Sequence, residues 1–339
     1  MFTVNARSTS APGAPFEAVV IERRDPGPGD VVIDIAFSGI CHTDVSRARS
    51  EFGTTHYPLV PGHEIAGVVS KVGSDVTKFA VGDRVGVGCI VDSCRECDYC
   101  RAGLEPYCRK DHVRTYNSMG RDGRITLGGY SEKIVVDEGY VLRIPDAIPL
   151  DQAAPLLCAG ITMYSPLRHW KAGPGSRIAI VGFGGLGAHT TVFDLTMDKH
   201  DDAIRLGADD YRLSTDAGIF KEFEGAFELI VSTVPANLDY DLFLKMLALD
   251  GTFVQLGVPH NPVSLDVFSL FYNRRSLAGT LVGGIGETQE MLDFCAEHSI
   301  VAEIETVGAD EIDSAYDRVA AGDVRYRMVL DVGTLATQR

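Results

Sequence analysis

The chain is poor in basic residues and has no long apolar run. Its 339 residues include 31 lysines and arginines against 47 acidic residues, which gives a net charge of −16. Proteins that bind nucleic acids rely on basic side chains against phosphate groups, and anionic membrane surfaces make the same demand. No segment approaches the ~18 consecutive apolar residues that a membrane-spanning helix needs. We therefore expect neither a nucleic acid nor a membrane as a partner.

The N-terminal segment also lacks the charged and then apolar pattern of a secretory signal. We therefore expect a cytoplasmic protein, in which thiols stay reduced. In that compartment the eight cysteines favour metal binding or catalysis over disulfides. Hydrophobic residues make up 45% of the chain and charged residues 23%, as in an ordinary globular protein, and the length allows two domains.

An alternating apolar run near the N-terminus ends in reactive side chains. The alternation over residues 31–37 predicts a half-buried strand. The segment 39–44, with the sequence GICHTD, follows it. It presents the thiol of Cys41, the hydroxyl of Thr43 and the carboxylate of Asp44. We interpret Cys41 as a ligand of a catalytic zinc and Thr43 as the group that handles the substrate proton, although a single cysteine is more often an inert buried thiol.

Two further residues complete a candidate catalytic zinc site. His63 follows a loop with two prolines and a glycine, and Glu64 beside it could support the imidazole or act as an exchangeable ligand. Cys158 stands in an apolar stretch that predicts a helix. Taken singly, His63 resembles a hydrogen-bonded loop histidine and Cys158 a small core residue. Together with Cys41 they would supply two thiolates and one imidazole and leave one coordination position free, as in a catalytic zinc site.

The most specific metal signal is a group of four cysteines within fifteen residues. Its members are Cys94, Cys97, Cys100 and Cys108. Four thiolates at this spacing can close a tetrahedral shell with no open position, which predicts a structural zinc. An iron–sulfur cluster also uses four thiolates and is the alternative, together with a redox-active cluster.

A nucleotide-binding pattern begins after a turn at residues 173–176. Residues 177–181 form an unbroken apolar run that predicts a buried strand. The motif G-x-G-x-x-G follows it directly, in the position that a dinucleotide-binding fold requires. Its residues are Gly182, Phe183, Gly184, Gly185, Leu186 and Gly187.

The connection after this motif is unusually short. Residues 190–194 predict the second strand, with Asp194 at its end. A parallel crossover with its helix needs ~10–12 residues, far more than the space before that strand provides. The first helix of the nucleotide fold is therefore missing, either because about three turns are deleted or because the printed sequence omits a stretch.

Strand and helix signals then alternate. Strands are predicted at 211–213, 229–233, 252–257 and 276–280, and helices at 199–206, 238–247 and 310–321. This alternation predicts an α/β fold with a doubly wound parallel sheet.

Taken together, these motifs resemble the zinc-dependent medium-chain alcohol dehydrogenases, in the branch of the cinnamyl alcohol dehydrogenases and their bacterial relatives. The resemblance rests on residues 39–44, 57–64, 94–108, 128–132, 154–167 and 182–187, with later matches at 276–284 and 323–327. It implies a GroES-like, partly closed β-barrel as the catalytic domain, at 1–155 and 284–339, around a Rossmann domain at 156–283. It also implies a homodimer or tetramer, zinc in one catalytic and one structural site, and NAD or NADP. The implied substrates are primary allylic, benzylic or aliphatic alcohols and aldehydes.

The resemblance also implies individual roles. Cys41, His63 and Cys158 would hold the catalytic zinc with Glu64 beside it, and Asp44 would orient His63. Thr43 would take the alcohol proton, and His42 would lie near the cofactor phosphates. The proton relay of the family commonly ends on a histidine at the position of Ser46, which puts the last step in doubt. The remaining residues that match the cofactor groove are Thr233, Gly257, Val282 and Gly283.

Cofactor choice departs from the branch. Relatives that use NADP place hydroxyl or basic residues at the end of the second strand to accept the 2′-phosphate, whereas this chain has Asp194 there. A carboxylate repels a phosphate but accepts hydrogen bonds from both ribose hydroxyls. Thr196 and Lys199 still fit phosphate binding, and the balance favours NAD.

Two other functions stay open. A zinc hydrolase could use the same ligands, with water as nucleophile and Glu64 as base, and would need no nucleotide fold. A zinc-stabilised scaffold without catalytic activity is the second alternative, because the short connection before Asp194 could leave the nucleotide site damaged.

Overall fold

A computed structural model of the chain describes residues 1–182, 189–259 and 261–337. Five residues of the predicted glycine motif, Phe183, Gly184, Gly185, Leu186 and Gly187, lie outside these ranges. The described residues form two compact units. One comprises residues 1–161 and 282–339, and the other residues 162–281. The domain boundaries predicted near 155 and 284 stay predictions, because a division into compact units does not show which unit binds zinc and which binds the nucleotide.

The strands alternate with short helices along the chain. In chain order the strands are β1 (Phe2–Ser8), β2 (Glu17–Arg23), β3 (Asp30–Ile40), β4 (Ile65–Val72), β5 (Arg84–Val87), β6 (Ile90–Asp92), β7 (Val113–Arg114), β8 (Lys133–Asp137), β9 (Leu142–Arg143), β10 (Arg177–Val181), β11 (His189–Asp194), β12 (Asp210–Leu213), β13 (Phe227–Ser232), β14 (Leu247–Gln255), β15 (Ser276–Gly279), β16 (Ile304–Val307) and β17 (Arg327–Asp331).

The α-helices are α1 (His42–Ala48), α2 (Asp98–Arg101), α3 (Leu150–Ala153), α4 (Ala159–His169), α5 (His200–Arg205), α6 (Ile219–Glu222), α7 (Tyr240–Lys245), α8 (Phe268–Phe271), α9 (Ile285–Glu297) and α10 (Ile312–Ala321). Short 3₁₀ turns occupy Glu105–Tyr107, Glu138–Tyr140, Ala154–Leu157, Tyr272–Arg274, Ala309–Glu311 and Val332–Thr337. No helix among the described residues is long and apolar enough to cross a membrane.

The first unit is organised around β3. This strand pairs antiparallel with β4, β8 and β17 in a sheet whose main order is β16-β17-β3-β4-β5-β9. The predicted alternation holds only in the middle of the strand: Ile33 and Ile35 are buried and Asp34 is not.

Val32, on the opposite face, is also buried at 5% exposure, and Phe37 is only partly buried. The strand is longer than predicted and extends to Ile40, so its end places Cys41 at the start of α1.

The second unit is a parallel sheet in the order β12-β11-β10-β13-β14-β15. Every strand pair in it is parallel. Counted from β10, this is the order 3-2-1-4-5-6 of the doubly wound dinucleotide-binding fold, which confirms the predicted fold class. One detail of the prediction is wrong. The helix predicted at 238–247 ends at Lys245, and Leu247 already begins β14, because its side chain fills the core beneath the sheet.

The connection between β10 and β11 is as short as the sequence indicates. The two strands pair in parallel, with Arg177 opposite His189, so seven residues, 182–188, must return the chain along the strand. That return covers about 13 Å along the strand and about 5 Å across it, well within the reach of an extended chain of this length. The distance between the ends of the two described strands is therefore compatible with a connection of seven residues.

Helices α4 and α5 cover one face of the strands β10 and β11. Ile178 and Ile180 of β10 are buried against Met163 of α4 and Trp170, which follows α4. Val192 of β11 is fully buried and packs against Ala203 of α5. The helices α4 and α5 therefore shield Ile178, Ile180 and Val192, which lie on the same face of the two strands.

Candidate functional site

Four side chains in the first unit converge on one point. Donor atoms of Cys41, His63, Glu64 and Cys158 all lie within 4.8 Å of one another, as the atoms around a shared metal ion would. His63 Nε2 lies 3.2 Å from Cys158 Sγ. All four residues are less than a tenth exposed. The structure therefore brings together the three predicted zinc ligands and the neighbouring glutamate, although they come from separate segments of the chain.

Asp44 joins the segments that carry two of these residues. It is fully buried in α1, and its Oδ2 accepts the backbone N–H of Cys41 at 3.0 Å. Its Oδ1 lies 3.0 Å from His63 Nδ1 and also accepts the N–H of Gly62. Burial alone would lower the pKa of His63, but the Asp44 carboxylate raises this pKa well above its usual value. Asp44 therefore fixes the imidazole so that Nε2 points towards the two thiols.

The two thiols of the site differ in their proton affinity. The Cys158 thiol donates to Cys41 and thereby lowers the pKa of Cys41 well below its usual value. The same contact raises the pKa of Cys158, and burial adds to the increase. Since metals bind thiolates, the arrangement holds one sulfur ready for a metal and a second that must lose its proton on binding.

Cys158 does not lie in a helix as predicted. It follows the 3₁₀ turn Ala154–Leu157 and has φ −129° and ψ −70°, outside helical geometry, before α4 begins. Pro155 lies in this turn and interrupts the regular helix that the apolar composition suggests. The break turns Cys158 towards the cluster instead of leaving it in a helical row of core side chains.

Glu64 is held by a residue that the sequence did not identify as part of the site. Arg327, in β17, donates a hydrogen bond to Glu64 Oε1. The other oxygen, Oε2, is buried without a hydrogen-bond partner. Burial raises the pKa of Glu64 well above its usual value, and Arg327 opposes that shift. No spacing rule connects positions 263 residues apart, although an isolated buried carboxylate does indicate that a cation must be near.

The four-cysteine group forms a second cluster. Donor atoms of Cys94, Cys97, Cys100 and Cys108 lie within 4.8 Å of one another. Backbone N–H groups point at three of the sulfurs: Cys97 N donates to Cys94 Sγ at 3.3 Å, Cys100 N to Cys97 Sγ at 3.4 Å, and Cys94 N to Cys108 Sγ at 3.3 Å. Such bonds favour thiolates, and the N–H groups of Arg109 and Cys100 lower the pKa of Cys97 to about 6.

Other predicted catalytic residues occupy α1. Thr43 is exposed in its first turn and His42 is partly exposed. Ser46 is fully buried, and its hydroxyl has no hydrogen-bond partner. A buried hydroxyl without a partner cannot pass a proton directly to solvent, so the structure gives no support to Ser46 as the end of a proton relay.

The predicted cofactor residues lie in both units. Gly182 has φ +84°, and its N–H donates to the carbonyl of Phe193, while Thr233 donates to the carbonyls of Val181 and Gly182. A Cβ on Gly257 would lie 2.4 Å from the backbone of Val234, so only glycine fits there.

The residues at the end of β11 form a polar group. Asp194 accepts the backbone N–H of Leu195, and Thr196 donates to Asp198 at 3.0 Å. Lys199 caps α5. Val282 and Gly283 belong to the first unit.

Comparison with known proteins identifies the family. Residues 27–146 match the model of the alcohol dehydrogenase GroES-like domain, and residues 177–297 match that of the zinc-binding dehydrogenases. The chain is 55% identical to the NADP-dependent alcohol dehydrogenase C of Mycobacterium tuberculosis, over 99% of this chain and 100% of that protein. It is 51% identical to the aldehyde reductase YahK of Escherichia coli, over 95% and 96% of the two chains.

Solved structures agree with these matches. A cinnamyl alcohol dehydrogenase from Sorghum bicolor superposes with a TM-score of 0.96 at 39% identity, over all of both chains. A cinnamyl alcohol dehydrogenase from Helicobacter pylori, complexed with NADP(H), gives 0.91 at 37% identity over 98% of each chain. The alignment with the mycobacterial protein extends over 346 positions, more than the 339 residues of this chain, so that protein has residues that this chain lacks. The chain belongs to the zinc-binding alcohol dehydrogenases with a GroES-like domain.

Proposed function

We propose that the protein is a zinc-dependent dehydrogenase that interconverts primary alcohols and aldehydes with a nicotinamide cofactor. The observation that carries the proposal is the convergence of Cys41, His63 and Cys158 beside Glu64 in one buried cluster. Relatives named as alcohol dehydrogenases and aldehyde reductases support the same activity. Allylic, benzylic and aliphatic aldehydes are the substrate class we propose.

The donor set of this cluster fits zinc. Two thiols and an imidazole suit a borderline-soft ion, and three protein ligands leave one position for substrate. The unpartnered Oε2 of Glu64 suits an exchangeable ligand. When bound, the zinc ion would act as a Lewis acid on the substrate oxygen, and the nicotinamide would exchange the hydride.

The protein itself positions these groups and moves the proton. Asp44 holds His63 through Nδ1, so its Nε2 stays free to bind the metal. Arg327 balances the buried charge of Glu64. Thr43 is exposed at the start of α1, where its hydroxyl can accept the proton of an alcohol and pass it on. We assign His42 to the cofactor phosphates.

We propose that the cluster of Cys94, Cys97, Cys100 and Cys108 holds a structural zinc. Four thiols complete a tetrahedral shell, so no position would remain for a substrate. The surrounding segment has little regular structure, with only the single-turn helix α2 and a 3₁₀ turn. A metal would therefore supply much of the folding free energy of this segment.

Substitution of one cysteine in each cluster separates these two roles. We expect Cys158→Ser to keep the fold and to abolish turnover, since it removes a Lewis acid that contributes several kcal/mol to the transition state. We expect Cys97→Ser to cost structure or solubility. Zinc content by atomic emission, melting temperature and turnover distinguish the two variants. Equal thermal destabilisation by both substitutions would contradict the division.

Hydride transfer tests the main proposal directly. The zinc-loaded protein should oxidise NADH or NADPH when cinnamaldehyde or benzaldehyde is added, as measured by the loss of absorbance at the nicotinamide band. Thr43→Val should lower kcat by roughly 10²–10⁴-fold, the range of a general acid–base group. Thr43→Ser, which keeps the hydroxyl, is the matched control and should retain most of the activity.

A second candidate function is a zinc-stabilised scaffold that has lost hydride transfer. It is favoured by the seven-residue connection between the parallel strands β10 and β11, which leaves no room for the first helix of the nucleotide fold. The N-terminus of that helix is where such folds place the pyrophosphate. A zinc-loaded sample that binds neither NADH nor NADPH by fluorescence would support the scaffold. The zinc hydrolase is disfavoured, because it would not need the parallel sheet of the second unit.

We further propose NAD as the preferred cofactor, although the mycobacterial relative is named as NADP-dependent. Asp194 and Asp198 place two carboxylates after β11, and Tyr211 donates to the carbonyl of Thr196 between them. Burial and then the carboxylates of Asp194 and Asp198 raise the pKa of Tyr211 to about 12. This negative potential would repel a 2′-phosphate, whereas Asp194 could accept the ribose hydroxyls.

Removal of one of these charges should shift the cofactor preference. We expect Asp194→Ser to raise the kcat/KM ratio of NADPH over NADH by on the order of tenfold, about 1.4 kcal/mol. Asp201→Ser removes the same charge from an exposed position in α5 and should leave the ratio unchanged. An unchanged ratio in both variants would remove Asp194 from the assigned role.

We propose that the protein forms a homodimer through the edge strand β15. This strand ends the sheet order, and the residues just before it expose three aromatic rings: Phe268, Phe271 and Tyr272 are 57%, 64% and 68% exposed. An open strand edge next to an apolar patch favours pairing with a second copy. We also propose the cytoplasm as the compartment, because the two cysteine clusters would need reduced thiols to bind zinc.

Light scattering after size-exclusion chromatography checks the dimer. We expect twice the chain mass for the native protein and a shift towards the monomer for Phe271→Glu. Phe220→Leu, a substitution within the core of the second unit, changes an aromatic ring away from the patch and should leave the mass unchanged. A native protein that is monomeric at all concentrations tested contradicts the proposal, and a tetramer would require a further interface.

A further inference from the structure

The four-cysteine segment contacts the start of α9 from a distant part of the chain. The carboxylate of Glu105 accepts the backbone N–H of Ile285, the first residue of that helix, at 3.1 Å. A Cβ on Gly284 would lie 1.9 Å from the carbonyl oxygen of Gly103 and 2.6 Å from Glu105 Oε2. The residue before the helix must therefore lack a side chain, because the four-cysteine segment comes so close to it.

Cysteines of the cluster hold both contacting residues. The N–H of Gly103 donates to the carbonyl of Cys100 at 3.1 Å, and the N–H of Cys108 donates to the carbonyl of Glu105 at 3.1 Å. Gly103 has φ +72°, in the left-handed region that favours glycine. The backbone that carries the Glu105 side chain is therefore tied to two of the cysteines that would hold the structural zinc.

The start of α9 also packs against α4 and against the core. A Cβ on Gly283 would lie 2.5 Å from Ile161 Cδ1, so this glycine too is in close contact with its neighbour. Val282 and Ile285 pack against the large apolar core of the first unit. Residues 282–285 are thus held by apolar contacts and by the polar contact from Glu105.

We propose that Glu105 is a positioning residue for the nicotinamide cofactor. Val282 and Gly283 are among the residues assigned to the cofactor groove, and they come directly before the residues that Glu105 contacts. Glu105 fixes where α9 begins and thereby fixes the backbone of Val282 and Gly283. This role rests on the proposed dehydrogenase function, because it requires that these two residues contact the nucleotide.

A carboxylate suits the position that Glu105 occupies. The first N–H groups of a helix have no partner within the helix, and a negative charge near them is favourable. Helix α9 has 13 residues, and its N-cap residue Gly284 has no side chain that could accept these groups. Glu105 therefore supplies, from another segment, an acceptor that the N-cap residue cannot provide.

Variants of the zinc-loaded full-length protein test the proposal. Glu105→Ala should raise the dissociation constant of NADH, measured by nicotinamide fluorescence, by roughly tenfold, as expected for the loss of a hydrogen bond to a charged group. Glu105→Gln keeps an acceptor oxygen and should stay closer to the native protein. Glu96→Ala removes an exposed carboxylate of the same segment, which pairs with Lys110, and should leave the dissociation constant unchanged.

A purely structural role would not separate binding from turnover. Because Val282 and Ile285 are anchored in the core, we expect Glu105→Ala to fold and to keep the zinc content of the native protein. Its KM for NADH should rise while kcat at saturating NADH stays nearly native. Hydrogen exchange should increase in peptides that contain residues 282–288. Glu105→Asp, which shortens the side chain and withdraws the acceptor, replaces the alanine variant if that variant does not fold.

Two results would overturn the proposal. One is a Glu105→Ala variant that binds NADH as tightly as the native protein. The other is an equal loss of affinity in Glu105→Ala and Glu96→Ala, which would indicate a general effect of charge. Either result leaves aldehyde reduction by the native protein intact, so Glu105 would lose its assigned role while the proposed dehydrogenase stands. A native protein that binds neither NADH nor NADPH would contradict both.

Discussion

The first unit depends on how one buried carboxylate is satisfied. Asp44 has no exposure to solvent, and an unpaired charge in such a place would cost several kcal/mol. Its two oxygens receive the N–H of Cys41, the N–H of Gly62 and the ring of His63. The same bonds that compensate its burial also draw the end of β3 and the loop before β4 together. A structural requirement of the core therefore also assembles two of the proposed metal ligands.

Glu64 is a second buried carboxylate of this unit that needs compensating partners. Its carboxylate lies against Gly39, where a Cβ would come within 1.9 Å of Oε2, so the residue opposite must lack a side chain. Arg327 supplies the compensating charge, and breaking such a buried pair by removing one partner typically costs about 3–5 kcal/mol. Arg327 brings a positive charge close to two thiols. Burial alone would lower the pKa of Arg327, but Glu64, and then Cys41 and Cys158, raise this pKa above its usual value. The charges of Glu64, Arg327 and the two thiols thus come from separate segments of the chain that meet at the proposed metal site.

Local pattern was enough to predict the donors and the class of fold. The alternation in β3, the four closely spaced cysteines and the apolar run of β10 each express a local rule, and the structure contains all three. The convergence of Cys158 with Cys41 was inferred from the donor set that a catalytic zinc needs, and the family resemblance implied the same set; no periodicity relates positions so far apart. Its conformation was predicted wrongly, since composition indicated a helix where Pro155 breaks one.

The sequence did not reveal contacts that arise only when distant residues are buried together. Arg327 lies in the segment 323–327 that resembles the family, but its partner became apparent only because the fold brings it beside Glu64. Ser46 is a local departure that the sequence did reveal: it stands where the family commonly has the last histidine of the relay, and its burial separates it from solvent. Side-chain roles that depend on long-range packing cannot be inferred from spacing, whereas roles that depend on neighbours in the chain can.

The residues proposed for metal binding and most of those proposed for nucleotide binding lie in different units of the chain. Both clusters of candidate metal ligands among the described residues, together with Asp44 and Arg327, lie in the first unit. The glycine motif, Asp194 and the short connection between β10 and β11 lie in the second. A change in that connection can weaken cofactor binding without touching the bonds that assemble the metal site. Zinc content therefore reports on the first unit alone, and a fully metallated protein could still lack hydride transfer. Apolar residues of β10 and β11 stay covered by α4 and α5. The second unit can therefore keep its sheet even if it no longer binds the nucleotide. A normal melting temperature would then not show that the protein is active.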